Sequence, residues 1–329
     1  VPGTPLASQR MLAPLQRGVE FLELRAPEVQ RTRRARFKPG AVAEDGGGET
    51  HIRLGKFSPP RILHQAMIRL VFILMLCSVL LARAESAADK LTVADKLTAA
   101  GIAEFTAAYQ AWSGARFAVA AKTFRRASTN ASATATNFYW LGAAEFHRML
   151  QLQNSPGSET NKSASAAALD SAVDALMAAV TLNERHAESH ALLGTLYGMK
   201  INGSVLRAVR FGPRVQKHQD LALASGACNP RVQYLLGMCR FHTAKKPEAW
   251  RETLATLLAA EKLFVAEAKT AAAPLHPRWG NDSCLTFIGR TYELLGQPKD
   301  AADYFRKALA IHPQDHVAQD GLKRVAAKK

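Results

Sequence analysis

Apolar and small residues recur along the second half of the chain at spacings that belong to paired helices. The clearest run is Leu285, Ile288, Gly289 and Tyr292, followed by Ala301, Phe305, Ala308 and Pro313. Steps of three, four and seven keep such positions on one helix face. Gly289 permits one helix to approach the next closely, Ala301 and Ala308 do the same from the other side, and Tyr292 and Phe305 fill the space between. Pro313 ends the second helix. The same order reappears upstream. Leu235-Leu236-Gly237 opens one copy, Leu192-Leu193-Gly194-x2-Tyr197 another, and Trp140-Leu141-Gly142 a third. Second helices are marked by Ala120-x3-Phe124-x2-Ala127 and by Ala172-x3-Leu176-x2-Ala179. A further first helix carries Phe105, Tyr109 and Trp112, with Ala108 where the other copies have glycine.

From Ala108 through Gly142, Gly194, Gly237 and Gly289 the spacings are 34, 52, 43 and 52 residues. A shortest period of this size, with two helices in it, implies stacked helical repeats, and the longer intervals are insertions. The first insertion is the polar stretch 154–163, expected as a surface loop. The second contains Gly212-Pro213, which predicts a break or kink in the helix beginning near Ser204. The third follows a long helical stretch from Pro247 to Lys269 and ends in Ala273-Pro274-Leu275-His276-Pro277-Arg278-Trp279-Gly280. The stretch His316 to Lys329 has Leu322 and Val325 on one face and basic residues elsewhere, as a polar cap requires. Through these motifs the chain from 101 to 329 resembles the tetratricopeptide-repeat (TPR) family. Asn229-Pro230-Arg231 and Pro277-x-Trp279-Gly280 further resemble exported bacterial members of that family. The expected fold is all-α, a right-handed α-solenoid of about five TPR-like helix pairs with a C-terminal capping helix.

The N-terminal part follows a different pattern. Residues 67–84 read MIRLVFILMLCSVLLARA, a short basic start, an apolar run and Ala82-Arg83-Ala84. This is the layout of a secretory signal cleaved after Ala84. It predicts an exported, periplasmic or extracellular protein in a bacterial cell envelope, with 85–100 as a linker. Residues 1–66 show no sustained period and read as disordered or as non-native upstream translation.

Charge adds a second theme. The chain has 43 Lys+Arg against 27 Asp+Glu, a formal net charge of +16. Residues 85–329 alone hold 30 bases and 21 acids. An anionic partner fits this balance, as does solubility alone. A hydrophobic content of 48 % excludes a wholly disordered chain, and four cysteines exclude a disulfide scaffold. Nucleophile, phosphate-loop, dinucleotide and zinc-protease motifs are absent. The expectation is therefore no enzyme, no cofactor and no metal site. His186-x3-His190 reads as a solvated helix start, and Cys228, Cys239 and Cys284 as small residues on packed helices.

The TPR resemblance implies a ligand groove on the first helix of each pair, at set offsets from the glycine. Those offsets give Phe105, Tyr109, Trp112, Tyr139, Phe146, Arg231, Tyr234, Met238, Phe241 and Arg290, with His147 and His242 beside them. Aromatics with arginine suit the anchoring of a peptide or protein segment. The expected function is a non-catalytic scaffold or adaptor, with no nucleic acid as partner. The alternative is an envelope accessory protein that binds an anionic polymer or ligand through Arg207, Arg210, Arg214 and Lys217. Their spacing of three, four and three places them on one helix face, if Gly212-Pro213 leaves that face continuous.

Overall fold

The computed structural model describes residues 91–155 and 161–327. The upstream stretch 1–66, the signal 67–84 and the first part of the expected linker lie outside the described residues. Eleven helices are present among the described residues, and no strand. They are α1 (Val93–Ala111), α2 (Gly114–Ser128), α3 (Ala135–Asn154), α4 (Lys162–Leu182), α5 (Ala187–Ile201), α6 (Val205–Gly226), α7 (Pro230–Thr243), α8 (Pro247–Ala268), α9 (Asn281–Leu294), α10 (Pro298–Ile311) and α11 (His316–Ala326).

Consecutive helices pack as pairs: α1 with α2, α3 with α4, α5 with α6, α7 with α8, and α9 with α10. Successive pairs stack on one another, and α11 closes the fifth. This is the five-pair solenoid with its cap. The repeated glycine explains why each pair closes tightly. A Cβ added at Gly142 would lie 2.5 Å from Leu176, one at Gly237 2.5 Å from Leu257, and one at Gly289 2.8 Å from Phe305 and 3.2 Å from the Ala301 carbonyl. At Gly194 the neighbour is Gln219, at 3.2 Å. In the first pair the close approach falls at Gly101, where an added Cβ would lie 2.6 Å from Phe124, and not at Ala108 as the spacing predicts; Ala108 is also fully buried, two turns further along α1.

The insertions lengthen helices more than loops. α4, α6 and α8 run 21, 22 and 22 residues, against 14 for α9 and for α10. α4 is long and apolar enough to cross a membrane by length and composition. Here it buries Ala168, Ala172, Leu176 and Ala179, so it serves as a core helix. Two expectations need correction. α1 begins at Val93, inside the supposed linker, because Thr92 and Asp95 form a reciprocal capping box there. Gly212-Pro213 does not end a helix: α6 continues through Pro213. Pro213 and Val209, whose carbonyl the proline leaves without a helical donor, are both exposed, so water can take that bond.

Candidate functional site

The Asn-Pro-Arg motif at the start of α7 has a complete local explanation. The Asn229 side-chain oxygen accepts from the Arg231 and Val232 amides at 2.9 and 3.2 Å, and Pro230 takes the first helical position. This cap points Arg231 into the interior, where none of it is exposed. Its Nε donates to Glu188 at 2.8 Å, and its two terminal nitrogens donate to Glu267 at 3.0 and 2.5 Å. Asn229 Nδ2 also donates to Glu188, at 2.7 Å. One guanidinium thus ties α5, α7 and α8 together. Burial alone would raise the Glu267 carboxyl, but the Arg231 hydrogen bond and charge outweigh it and hold its pKa below the ordinary value.

The Pro-x-Trp-Gly motif is equally structural. Trp279 is buried, and its Nε1 donates to the Tyr139 hydroxyl at 3.0 Å. Gly280 sits at φ 98° and starts α9, a left-handed conformation that favours glycine. The segment before it lies against the stack. Trp140 Nε1 donates to the Leu275 carbonyl at 2.8 Å, and Arg278 donates to the carbonyls of Glu267 and Thr270 at 2.6 and 3.0 Å. Beside this segment opens a cavity of about 300 Å³, whose rim includes Asn183, Arg185, His186 and His276.

The aromatic residues expected in an open groove are largely interior. Phe105, Tyr139, Phe146, Tyr234, Met238 and Phe241 are buried, as is Arg231. The expectation of an exposed aromatic groove is corrected to that extent. The reason is that the inner side is narrow enough for facing helices and the 271–280 segment to fill it. His147, for example, is surrounded by Phe105, Tyr109, Phe117, Phe146 and Trp279 at ring distances of 4.9 to 5.7 Å. Burial pulls its pKa down to about 4. Tyr109 is half-buried and donates to Asp282 at 2.9 Å, while His312 meets the same carboxylate at 3.2 Å. The first pair therefore touches the fifth. Trp112, also half-buried, packs on Tyr109 and His312.

Arg290 differs from the rest. It is half-buried, its guanidinium lies 4.5 Å from the Phe241 ring centre and 5.2 Å from that of Phe287, and it has no carboxylate partner among the described residues. Burial, with Arg324 nearby, lowers its pKa to about 10, against the opposing pull of the Glu293 and Asp315 carboxylates, neither of which forms an ion pair with it. His242 borders the same rings, and burial pulls it down to about 4.

Arg207, Arg210, Arg214 and Lys217 all stand on the unbroken α6. The helix start at His186 and His190 is not solvated as expected, because His190 is buried. One of its ring nitrogens meets His218 at 2.9 Å and the other the Glu184 carbonyl at 2.9 Å, while His186 caps α5. No group of three His, Cys, Asp or Glu that could hold a metal occurs among the described residues. The three described cysteines are free thiols. Sequence reasoning missed Glu188, Glu267 and Asp282, whose partners lie far away in the chain.

A family model described as "Regulator of microtubule dynamics protein 1-3" matches residues 110–328. No curated protein sequence matches the chain. Among solved structures, the HusA haemophore from Porphyromonas gingivalis is 14 % identical, with a TM-score of 0.49 over 62 % of this chain and 96 % of that one. TTC0263, a thermophilic TPR protein in Thermus thermophilus, is 15 % identical, with a TM-score of 0.46 over 69 % of this chain and 97 % of that one.

Proposed function

From the premise that the chain belongs to the regulator of microtubule dynamics protein 1-3 family, we propose that it is a non-catalytic scaffold holding a segment of another protein at Arg290. The observation that carries this reading is that Arg290 makes no direct ion pair among the described residues, Glu293 and Asp315 acting on it only from a distance. An arginine set between Phe241 and Phe287 without a directly bonded carboxylate is a poor choice for stability and a good one for recognition. An Asp, Glu or C-terminal carboxylate of the bound segment supplies the missing charge, and its neighbouring apolar side chain packs on Phe287. The 271–280 segment supports the same reading. It shows irregular backbone held against the stack by a tryptophan donor, the kind of contact a partner segment would make beside it.

The family description makes polymerised tubulin the first partner to test. Co-sedimentation with microtubules should weaken about tenfold or more in Arg290→Glu. Arg290→Met should lose the same binding while melting at the same temperature or higher, because it removes an unpaired, partly buried cation. Binding unchanged in both variants would remove Arg290 from the site.

Export is a second reading, carried by a different observation. The 67–84 run supports delivery across a membrane into an envelope compartment, with partners to be sought there if tubulin fails. N-terminal sequencing of the protein from its own cells should then find Glu85 first. A chain recovered with residues 67–84 intact would end the cleavage reading.

A further inference from the structure

The solvent-facing side of the first half of α6 carries two stripes. Val205, Leu206 and Val209 are 66, 84 and 74 % exposed, and Pro213 is exposed one turn further on. At 100° per residue these four fall within one 100° sector. The adjacent sector holds Lys217, Arg210, Arg214 and Arg207, also exposed. None of these four cations has a carboxylate partner among the described residues. Arg210 lies over Phe211, Arg214 over Tyr197 and Phe211, and Arg207 reaches only the Lys200 carbonyl. The opposite side of the helix packs inward through Phe211, Val215, His218 and Ala222. Apart from Arg214 over Tyr197 and the Arg207 bond to the Lys200 carbonyl, the side chains of the exposed stripes form no hydrogen bond, ion pair or ring contact with the rest of the solenoid among the described residues, and those of the apolar stripe form none.

We infer that this face of α6 docks on an anionic lipid surface. Val205, Leu206 and Val209 enter the boundary between headgroups and acyl chains, and the four cations lie against lipid phosphates and carboxylates. An apolar stripe flanked by arginine and lysine, on a helix anchored along its other side, is the pattern of a helix lying in a membrane interface. A soluble polyanion would use the cations and leave Leu206 idle. The continuity of α6 through Pro213 matters here, because it keeps Lys217 in line with Arg210 and Arg214. This surface is independent of the Arg290 site, so either can fail without the other.

The test is hydrogen exchange of the full chain with vesicles, read only over residues 205–217, so that binding by the basic or apolar stretches upstream does not enter. The vesicles are phosphatidylcholine alone or with one-third phosphatidylserine. Exchange over 205–217 should slow on the anionic vesicles and not on the neutral ones. Each cation near such a surface contributes about fivefold in affinity, so Arg207→Glu with Arg210→Glu should weaken this protection about 25-fold or more. Leu206→Glu with Val209→Glu should abolish it. Unchanged exchange elsewhere in the chain verifies that each variant is folded. No slowing for the native chain overturns the inference. Equal slowing by soluble polyphosphate, or protection that survives loss of Leu206 and Val209, also overturns it and makes the stripe a polyanion site.

Discussion

Replacing Arg231 by methionine should be among the most damaging single changes in the solenoid. The side chain is fully buried and satisfies two carboxylates on two different helices. Methionine fills much of the volume, so packing is largely kept. What remains is Glu188, 6 % exposed, with its charge uncompensated. Breaking a buried pair in this way costs about 3–5 kcal/mol. Each kcal/mol shifts the melting temperature of a domain this size by about 2–4 °C, so the loss should be roughly 6–20 °C. Arg231→Lys should recover only part of it, because a single ammonium cannot bridge Glu188 and both oxygens of Glu267. Adding Glu188→Gln to the methionine variant removes the orphaned charge and should restore about half the loss, a coupling that a double-mutant cycle reads directly. Differential scanning calorimetry of the parent, these three variants and Glu188→Gln alone, which closes the cycle, is sufficient. A methionine variant within about 1 kcal/mol of the parent, or a double variant weaker than the single one, would refute the assignment of a charged, interior network.

Gly289→Ala should cost about 1–3 kcal/mol in urea titrations, since the new Cβ meets Phe305 at 2.8 Å. Gly280→Ala meets nothing closer than 3.4 Å but takes on a φ of 98°, so it should cost about 1–2 kcal/mol by strain alone; no effect at either site would undo the helix register. His147 has a folded pKa of about 4 against an ordinary value near 6.5, so the unfolded chain takes up its proton first. Stability should be full above pH 6.5 and fall by about 3 kcal/mol as the pH drops to 4, with His147→Phe flattening that slope in denaturation series. His312 acts in the opposite sense. Its hydrogen bond to Asp282 raises its pKa, so its contribution is present below its unfolded value and is lost as pH rises through the folded one. His312→Gln should remove that alkaline loss.

The five pairs were legible because glycine, alanine and aromatic positions in a helical repeat are fixed by contacts within one pair, which lie close in sequence. The spacing of Gly289 and Phe305 is enough to assign them to each other. The site was less legible for the complementary reason. Offsets from a repeat motif identify residues that face inward, and they found Tyr139, Tyr234 and Arg290 alike. They do not say how wide the inner side is, or that the 271–280 segment and Trp279 fill part of it. Whether an inward residue is buried, paired or open depends on chain segments far away: Glu188 and Glu267 for Arg231, Phe241 for Arg290. The Gly212-Pro213 break was misjudged for a different reason. Proline rules describe the helix alone, and α6 is held on its inward side by Tyr197 and Gly194.

The contact of Tyr109 and His312 with Asp282 changes how this stack should come apart. In an open array each unit touches only its neighbours, so terminal units fray first and unfolding proceeds inward as a chain of small independent steps. Here the first unit is fastened to the last but for the cap, and neither end can peel away without breaking the fastening. The ends should therefore exchange their amide protons on the timescale of global opening, and the array should melt in one transition. Tyr109→Phe removes only the hydroxyl's bond to Asp282 and leaves the rings at 109 and 112 on His312, so cutting the fastening takes Tyr109→Ala together with Trp112→Ala. That double change should restore the behaviour of an open array, with fraying at α1 ahead of the main transition.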